Sequence, residues 1–154
     1  MEIKELGHVV LYVTNIQESA DFYRDTLGFK ELFREGQIAA FSSGRTHHEL
    51  LLIEVGGAKK EKKVEPGLYH IGFKVGDGHE AIEEVWSELK EKNVTVIGTG
   101  DHTITHSIYI LDPDGNELEL YADMGDDWKK DPKAILAATK PLHLGQLSTM
   151  FKNQ

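Results

Sequence analysis

Cysteine is absent from all 154 residues, which removes disulfides, thiolate nucleophiles and cysteine metal sites together and fits a reducing compartment. A positive balance is absent too: the formal net charge is −9, whereas a general binder of nucleic-acid phosphates needs a basic footprint. The one basic run, Lys59-Lys-Glu-Lys-Lys63, lies between Gly56-Gly57 and Pro66-Gly67 and reads as a solvated linker. No apolar run approaches membrane-spanning length, and Met1 to Gly7 lacks the basic start and apolar core of a secretory signal. The expectation is a soluble, cytoplasmic chain with no nucleic-acid or membrane partner. Its length suits one domain, or two small halves sharing a core, without staples.

What is present is a repeat. Gly7 to Val13 alternates as a strand, Asn15 to Leu27 carries apolar residues at 16, 20, 23 and 27 as a helix, and Gly28 stands where a left-handed helix end would. Strands follow around Lys30 to Phe33, Ile38 to Ser42 and Glu49 to Val55. The order then restarts: strand Tyr69 to Val75, helix Gly78 to Lys92, and strands Val94 to Ile97, Ile104 to Leu111 and Glu117 to Tyr121. The predicted class is α+β, with two tandem βαβββ modules (about 5–58 and 66–122) in a single catalytic domain, 1–122, forming one curved mixed-sheet cup around a metal site. Residues 123–154 read as a C-terminal extension, with a short helix over Lys133 to Lys140 after the Asp131-Pro132 start signal.

Candidate ligands follow from strand parity. His8 and His70 hold matching positions in the two first strands, each on the face opposite the apolar residues that would meet a helix. Asp112-Pro-Asp-Gly115 is strong turn chemistry, and past it Glu117, Glu119 and Tyr121 share a face while Leu118 and Leu120 share the other. His8, His70 and Glu119 then make two imidazoles and one carboxylate, a set that leaves adjacent positions open on a divalent ion and suits non-haem iron(II) oxygenases. Glu117, nearer the turn, is expected to be solvated. Two further histidine groups, His47-His48 and His102 with His106, lie on neighbouring strands, and His143 in the tail reads as surface.

These residues resemble the vicinal oxygen chelate superfamily (glyoxalase, bleomycin resistance, dioxygenase) over about residues 5 to 122, and within it the catechol 2,3-dioxygenase type of extradiol ring-cleaving enzyme. Gly7-His8-Val-Val-Leu-Tyr-Val is similar to the first-ligand strand, Leu68-Tyr-His70-Ile-Gly-Phe to the second, and Asp112-Pro-Asp-Gly-Asn-Glu-Leu-Glu119-Leu-Tyr to the closing hairpin. The resemblance implies an acid-base role for His48, and positioning roles for His102 and Tyr109 toward substrate and intermediate. It also implies Fe(II), with Mn(II) or another divalent metal as the alternatives, a small aromatic diol and O2 as reactants in aromatic catabolism, and compatibility with a homo-oligomer. One departure separates subfamilies: the inward positions of the strand from Glu49 read His48, Leu50, Leu52 and Glu54, with Glu49 pointing away, so the second glutamate of glyoxalase I is missing. Two other functions stay open: a glyoxalase-like metal-dependent lyase or isomerase, which would consume no oxygen, and a metal-free protein that sequesters a small ligand, which metal analysis would identify.

Overall fold

The structure is a computed structural model, and it describes residues 1–59, 61 and 64–145. The chain divides into two compact units, the first formed by residues 1–64 together with Asp112–Gly115, the second by 65–111 and 116–154.

In the first unit, β1 (Val9–Val13), β2 (Lys30–Glu35), β3 (Ile38–Ser42) and β4 (Leu50–Glu54) form a four-stranded mixed sheet in the order β1-β4-β3-β2. The β1 and β4 strands are parallel and the other pairs antiparallel. The predicted helix is present as two pieces. It opens as α1 (Ile16–Asp21), capped by the Asn15 side chain accepting from Glu18 N at 2.9 Å, and continues as a π-helical turn over Phe22–Thr26. Gly28, at φ +74°, ends it. The core of this unit is Leu11, Val13, Ile16, Ala20, Tyr23, Phe41, Leu50 and Leu52, all buried.

That core overturns the reading of β4. Leu11 pairs with Leu52 and Val13 with Glu54 in the parallel register, so Leu50, Leu52 and Glu54 lie on the helix side with the β1 core residues. Glu54 Oε2 accepts from Ile16 N at 2.7 Å, at the start of α1. The open face of the strand therefore holds Leu51 and Ile53. Its Leu-Leu-Leu-Ile sequence has no alternation from which to read the sides.

The second unit repeats the plan. β5 (His70–Asp77), β6 (Val96–Asp101), β7 (Thr105–Leu111) and β8 (Glu117–Asp123) run in the order β5-β8-β7-β6, again with one parallel pair, β5 with β8. α2 (Gly78–Glu91) packs on β5, β7 and β8 through Ile82 and Leu89, against Ile108, Ile110, Leu118, Leu120 and Ala122. The even spacing on β8 is as expected, with Leu118 and Leu120 in the core. On β5 the alternation breaks at a bulge between Lys74 and Gly76, which leaves Val75 exposed instead of facing the helix.

Past β8 a 3-10 turn spans Asp127–Lys129 and another Pro132–Leu136, the latter capped by Asp131 accepting from Lys133 N. The short helix expected to reach Lys140 stops at Leu136; instead Lys140 bridges to Asp101 by two backbone bonds of 2.8 and 3.0 Å. Of the tail, residues 146–154 lie outside the described residues. Among the described residues, no helix is long and apolar enough to cross a membrane.

Candidate functional site

The second unit gathers four of the six sequence-predicted site residues on the sheet face away from α2. The β5–β8 register sets His70 opposite Glu117 and Gly72 opposite Glu119, and the β7–β8 register sets Tyr109 opposite Glu119. His70 Nε2 lies 3.1 Å from Glu119 Oε2. The other carboxylate oxygen, Oε1, accepts from Ser107 Oγ at 2.6 Å and from Tyr109 Oη at 3.2 Å. Tyr109 Oη is in turn 2.8 Å from His102 Nε2, and His102 Nδ1 is 3.1 Å from Thr139 Oγ1.

One proton arrangement satisfies this whole line. With Thr139 donating to Nδ1, His102 donates from Nε2 to Tyr109, and Tyr109 donates to Glu119. The phenol is held protonated: burial, then the charge and hydrogen bond of Glu119, push its pKa up to about 12. His102 itself sits in the tight β6–β7 turn, where His102 N donates to Thr105 O and Thr103 adopts φ +72°. Gly100 leaves space for the ring, since a Cβ there would lie 3.1 Å from His102 Nε2 and 2.9 Å from Thr139 Cγ2.

Glu117 is buried, not solvated. Strand parity places it correctly on the His70 face; its proximity to the turn is misleading, because the β5 pairing covers it. Its Oε1 stands 4.0 Å from His70 Nδ1, a buried ring nitrogen with no hydrogen-bond partner. A metal-ligating imidazole characteristically turns its second N–H to a carboxylate, which orients the ring and raises its basicity. Among the described residues no group of three or more imidazole and carboxylate side chains gathers as a metal cage; what the second unit offers a metal is one imidazole nitrogen and one carboxylate oxygen 3.1 Å apart, with a second carboxylate 4.0 Å behind the imidazole.

The other two predicted residues belong to the first unit. His8 immediately precedes β1, and its ring centroid is 4.5 Å from that of His48. His48 Nδ1 meets His47 Nδ1 at 2.6 Å. Desolvation, then the neighbouring His8 and His47, lowers the His48 pKa, which keeps its ring neutral at physiological pH. Glu49 does not face this group through a strand position: it folds back into the β3–β4 turn, accepting from Ser43 N, Ser43 Oγ and Arg45 N at 2.9 to 3.1 Å.

Sequence reasoning misses Ser107, Thr139 and the role of Glu117. Ser107 lies two residues before Tyr109, which assigns it to the same strand face, but Thr139 reaches His102 from a segment with no periodic signal. His106 groups with His102 by sequence proximity, yet its strand parity matches Ile108 and Ile110, and its ring contacts His79 of α2.

A model of the glyoxalase/bleomycin resistance protein/dioxygenase superfamily matches residues 5–120 of the chain. A catechol-2,3-dioxygenase of Bacillus subtilis is 31% identical over 84% of the chain, but the match covers only 46% of that relative, so the chain spans about half its length. The metallothiol transferase FosB of Staphylococcus haemolyticus is 32% identical over 81% of the chain and 88% of its own length. Among solved structures, a glyoxalase family protein of Enterococcus faecalis is 30% identical, with a TM-score of 0.63 over 79% of this chain and 99% of that one.

Proposed function

Because the chain belongs to the glyoxalase/bleomycin resistance protein/dioxygenase superfamily, we propose that it is an extradiol ring-cleaving dioxygenase that inserts O2 into a catechol-type aromatic diol. The observation that carries this reading is the hydrogen-bond line ending on Glu119, above all the 2.8 Å contact of His102 Nε2 with Tyr109 Oη. It holds a neutral phenol, with an imidazole N–H behind it, beside the carboxylate proposed as a ligand. That is a donor pair suited to the oxygens of a bound diol as they gain negative charge.

The proposed metal ligands are His70 and Glu119, with His8 as the third on the resemblance of its strand, and the proposed metal is iron(II). When bound, such an ion supplies Lewis acidity and one-electron chemistry toward dioxygen. The rest falls to the protein's own side chains. His48, neutral at pH 7 and in the tautomer that donates its Nδ1–H to His47 Nδ1, offers Nε2 as the base that takes a diol proton and returns it during ring opening. Tyr109 keeps its proton at any pH the enzyme would meet and donates it as a hydrogen bond.

The test is oxygen uptake by anaerobically iron-loaded protein with a panel of catechols. Stoichiometric oxygen consumption with formation of a ring-opened semialdehyde is expected; no uptake with any diol would sink the assignment. A second reading rests on another relative, since the metallothiol transferase is 32% identical over 81% of the chain; transfer of a thiol to an electrophilic substrate, without oxygen consumption, is the outcome to assay alongside.

A further inference from the structure

On the α2 side of the second sheet, opposite the Glu119 face, another set of titratable side chains converges. His79 in the first turn of α2 and His106 on β7 meet Nδ1 to Nδ1 at 3.0 Å, with their rings at 84°. Each ring has a carboxylate at its far nitrogen. His79 Nε2 is 3.3 Å from Oε1 of Glu83, one helical turn on, and His106 Nε2 is 3.6 Å from Oδ1 of Asp101, its neighbour in the β6–β7 register. Glu83 is 4% exposed. Its Oε2 accepts from Gly145 N at 2.8 Å, but Oε1, aimed at His79, has no hydrogen-bond partner.

A carboxylate beside an imidazole nitrogen favours the tautomer with the proton on that nitrogen. If both Nε2 atoms carry protons, both Nδ1 atoms present lone pairs to each other at 3.0 Å. That contact is repulsive unless a proton on one of the two nitrogens or a metal ion lies between them. We propose that His79 and His106 form a second metal site, in which their Nδ1 atoms chelate one divalent transition-metal ion, with copper(II) bound most tightly, while Glu83 and Asp101 stand within ion-pair distance of the two Nε2 atoms.

The separation also selects the geometry. Two nitrogens about 2.0 to 2.1 Å from one ion lie about 2.9 Å apart at a right angle and about 3.4 Å apart at the tetrahedral angle. The observed 3.0 Å suits the edge of a square-planar or octahedral sphere, the preference of copper(II) and nickel(II), and copper(II) stands highest in the general affinity order for nitrogen sites. Access is open, since the His79 side chain is 41% exposed and the His106 side chain 17%. Water or an external ligand fills the remaining positions. None of these groups takes part in the proposed ring-cleaving chemistry.

The experiment is a copper(II) titration of the 154-residue chain carrying His70→Ala and His48→Ala, which remove a ligand of the other proposed site and break up the His8, His47 and His48 group. Binding is read by electron paramagnetic resonance and by quenching of Trp86, seven residues along α2 from His79, with Trp128→Phe silencing the other tryptophan. One equivalent of copper with a two-nitrogen signature is expected. His79→Asn is expected to weaken binding by about tenfold or more, and Glu83→Gln by roughly tenfold through the loss of backing for the ring. In the otherwise unaltered protein, His79→Asn should leave oxygen uptake with catechols unchanged. Equal copper affinity and stoichiometry with and without His79→Asn would overturn the proposal. So would a nitrogen-15 spectrum that shows one proton shared between the rings and no shift with copper. If the dioxygenase reading fails instead, oxygen uptake is missing throughout while copper binding and its loss in His79→Asn remain.

Discussion

At the scale of single residues, buried carboxylates do much of the organising. Glu117 shows the consequence. Held under the β5–β8 pairing with Oε1 4.0 Å from the unsatisfied Nδ1 of His70, it can receive that N–H once the ring's Nε2 is engaged by an ion. Glu117→Gln removes the charge and keeps the shape. Losing such a backing carboxylate typically costs 10- to 100-fold, and an iron(II) affinity about tenfold weaker, by anaerobic titration, is expected here. An affinity unchanged within error would show that the carboxylate does not serve His70. Tyr109→Phe acts elsewhere on the same line. It removes the donor to Glu119 and the acceptor for His102, so for the proposed ring cleavage kcat is expected to fall by about a hundredfold while the stoichiometry of the proposed metal holds, as for the loss of one preorganised donor. A full loss of metal instead would mean that Tyr109 supports the ligand rather than the diol.

At the scale of elements, turns and strand registers decide which side chains reach which face. Glu49 closes the β3–β4 turn. Burial alone would push its pKa up, but the bonds from Ser43, Ser42 and Arg45 outweigh it and hold the carboxyl at about 2, against an ordinary value of 4.5. A depressed value means stability that is fully present above pH 4.5 and lost as the pH falls toward 2. Glu49→Gln should therefore lower Tm at neutral pH, and its difference from the unaltered protein should shrink through that acid window; a constant difference across it would refute the assignment. Gly100→Ala tests the β6–β7 register, because the added methyl meets Thr139 at 2.9 Å and His102 at 3.1 Å. Displacement of the His102 ring is the expected result, visible as a lost Thr139 contact in the His102 nitrogen spectrum. These elements also mark how far periodicity carries. β1 and β8 alternate cleanly, so the order of their residues alone assigns their faces. β4 is four aliphatic residues in a row, and its sides are set only by pairing with β1. His102 is identifiable by resemblance, whereas its partner Thr139 depends on a backbone bridge between Asp101 and Lys140 that no local pattern announces.

At the scale of the whole molecule, the duplication is legible because two runs of the same element order leave little freedom: both sheets have one parallel pair at the same place and the same strand order. What the repeat hides is that the units are not cut where the modules are. Asp112–Gly115, which reads in the sequence as turn chemistry alone, is part of the first unit, and its two carboxylates are structural. Asp112 Oδ2 accepts from the buried Tyr23 Oη at 2.8 Å, and Asp114 accepts from Thr14 N at 3.1 Å and Ser19 Oγ at 3.2 Å. Burial, then the Asp112 charge, raises the Tyr23 pKa well above its usual value, so the phenol remains a donor throughout. Tyr23→Phe in the full chain should cost about 1–3 kcal/mol, the penalty for leaving a buried acceptor short of its donor. The stronger consequence concerns the segment 1–64 by itself. Without residues 112–115, Tyr23, Ser19 and the Thr14 amide all lose their acceptors in a unit small enough that its core leaves little margin. That fragment is expected to be largely unfolded by circular dichroism and to show no cooperative melting, although it contains a complete βαβββ module. A cooperative transition near that of the intact chain would mean that the hairpin carboxylates are accessories to a module already stable alone.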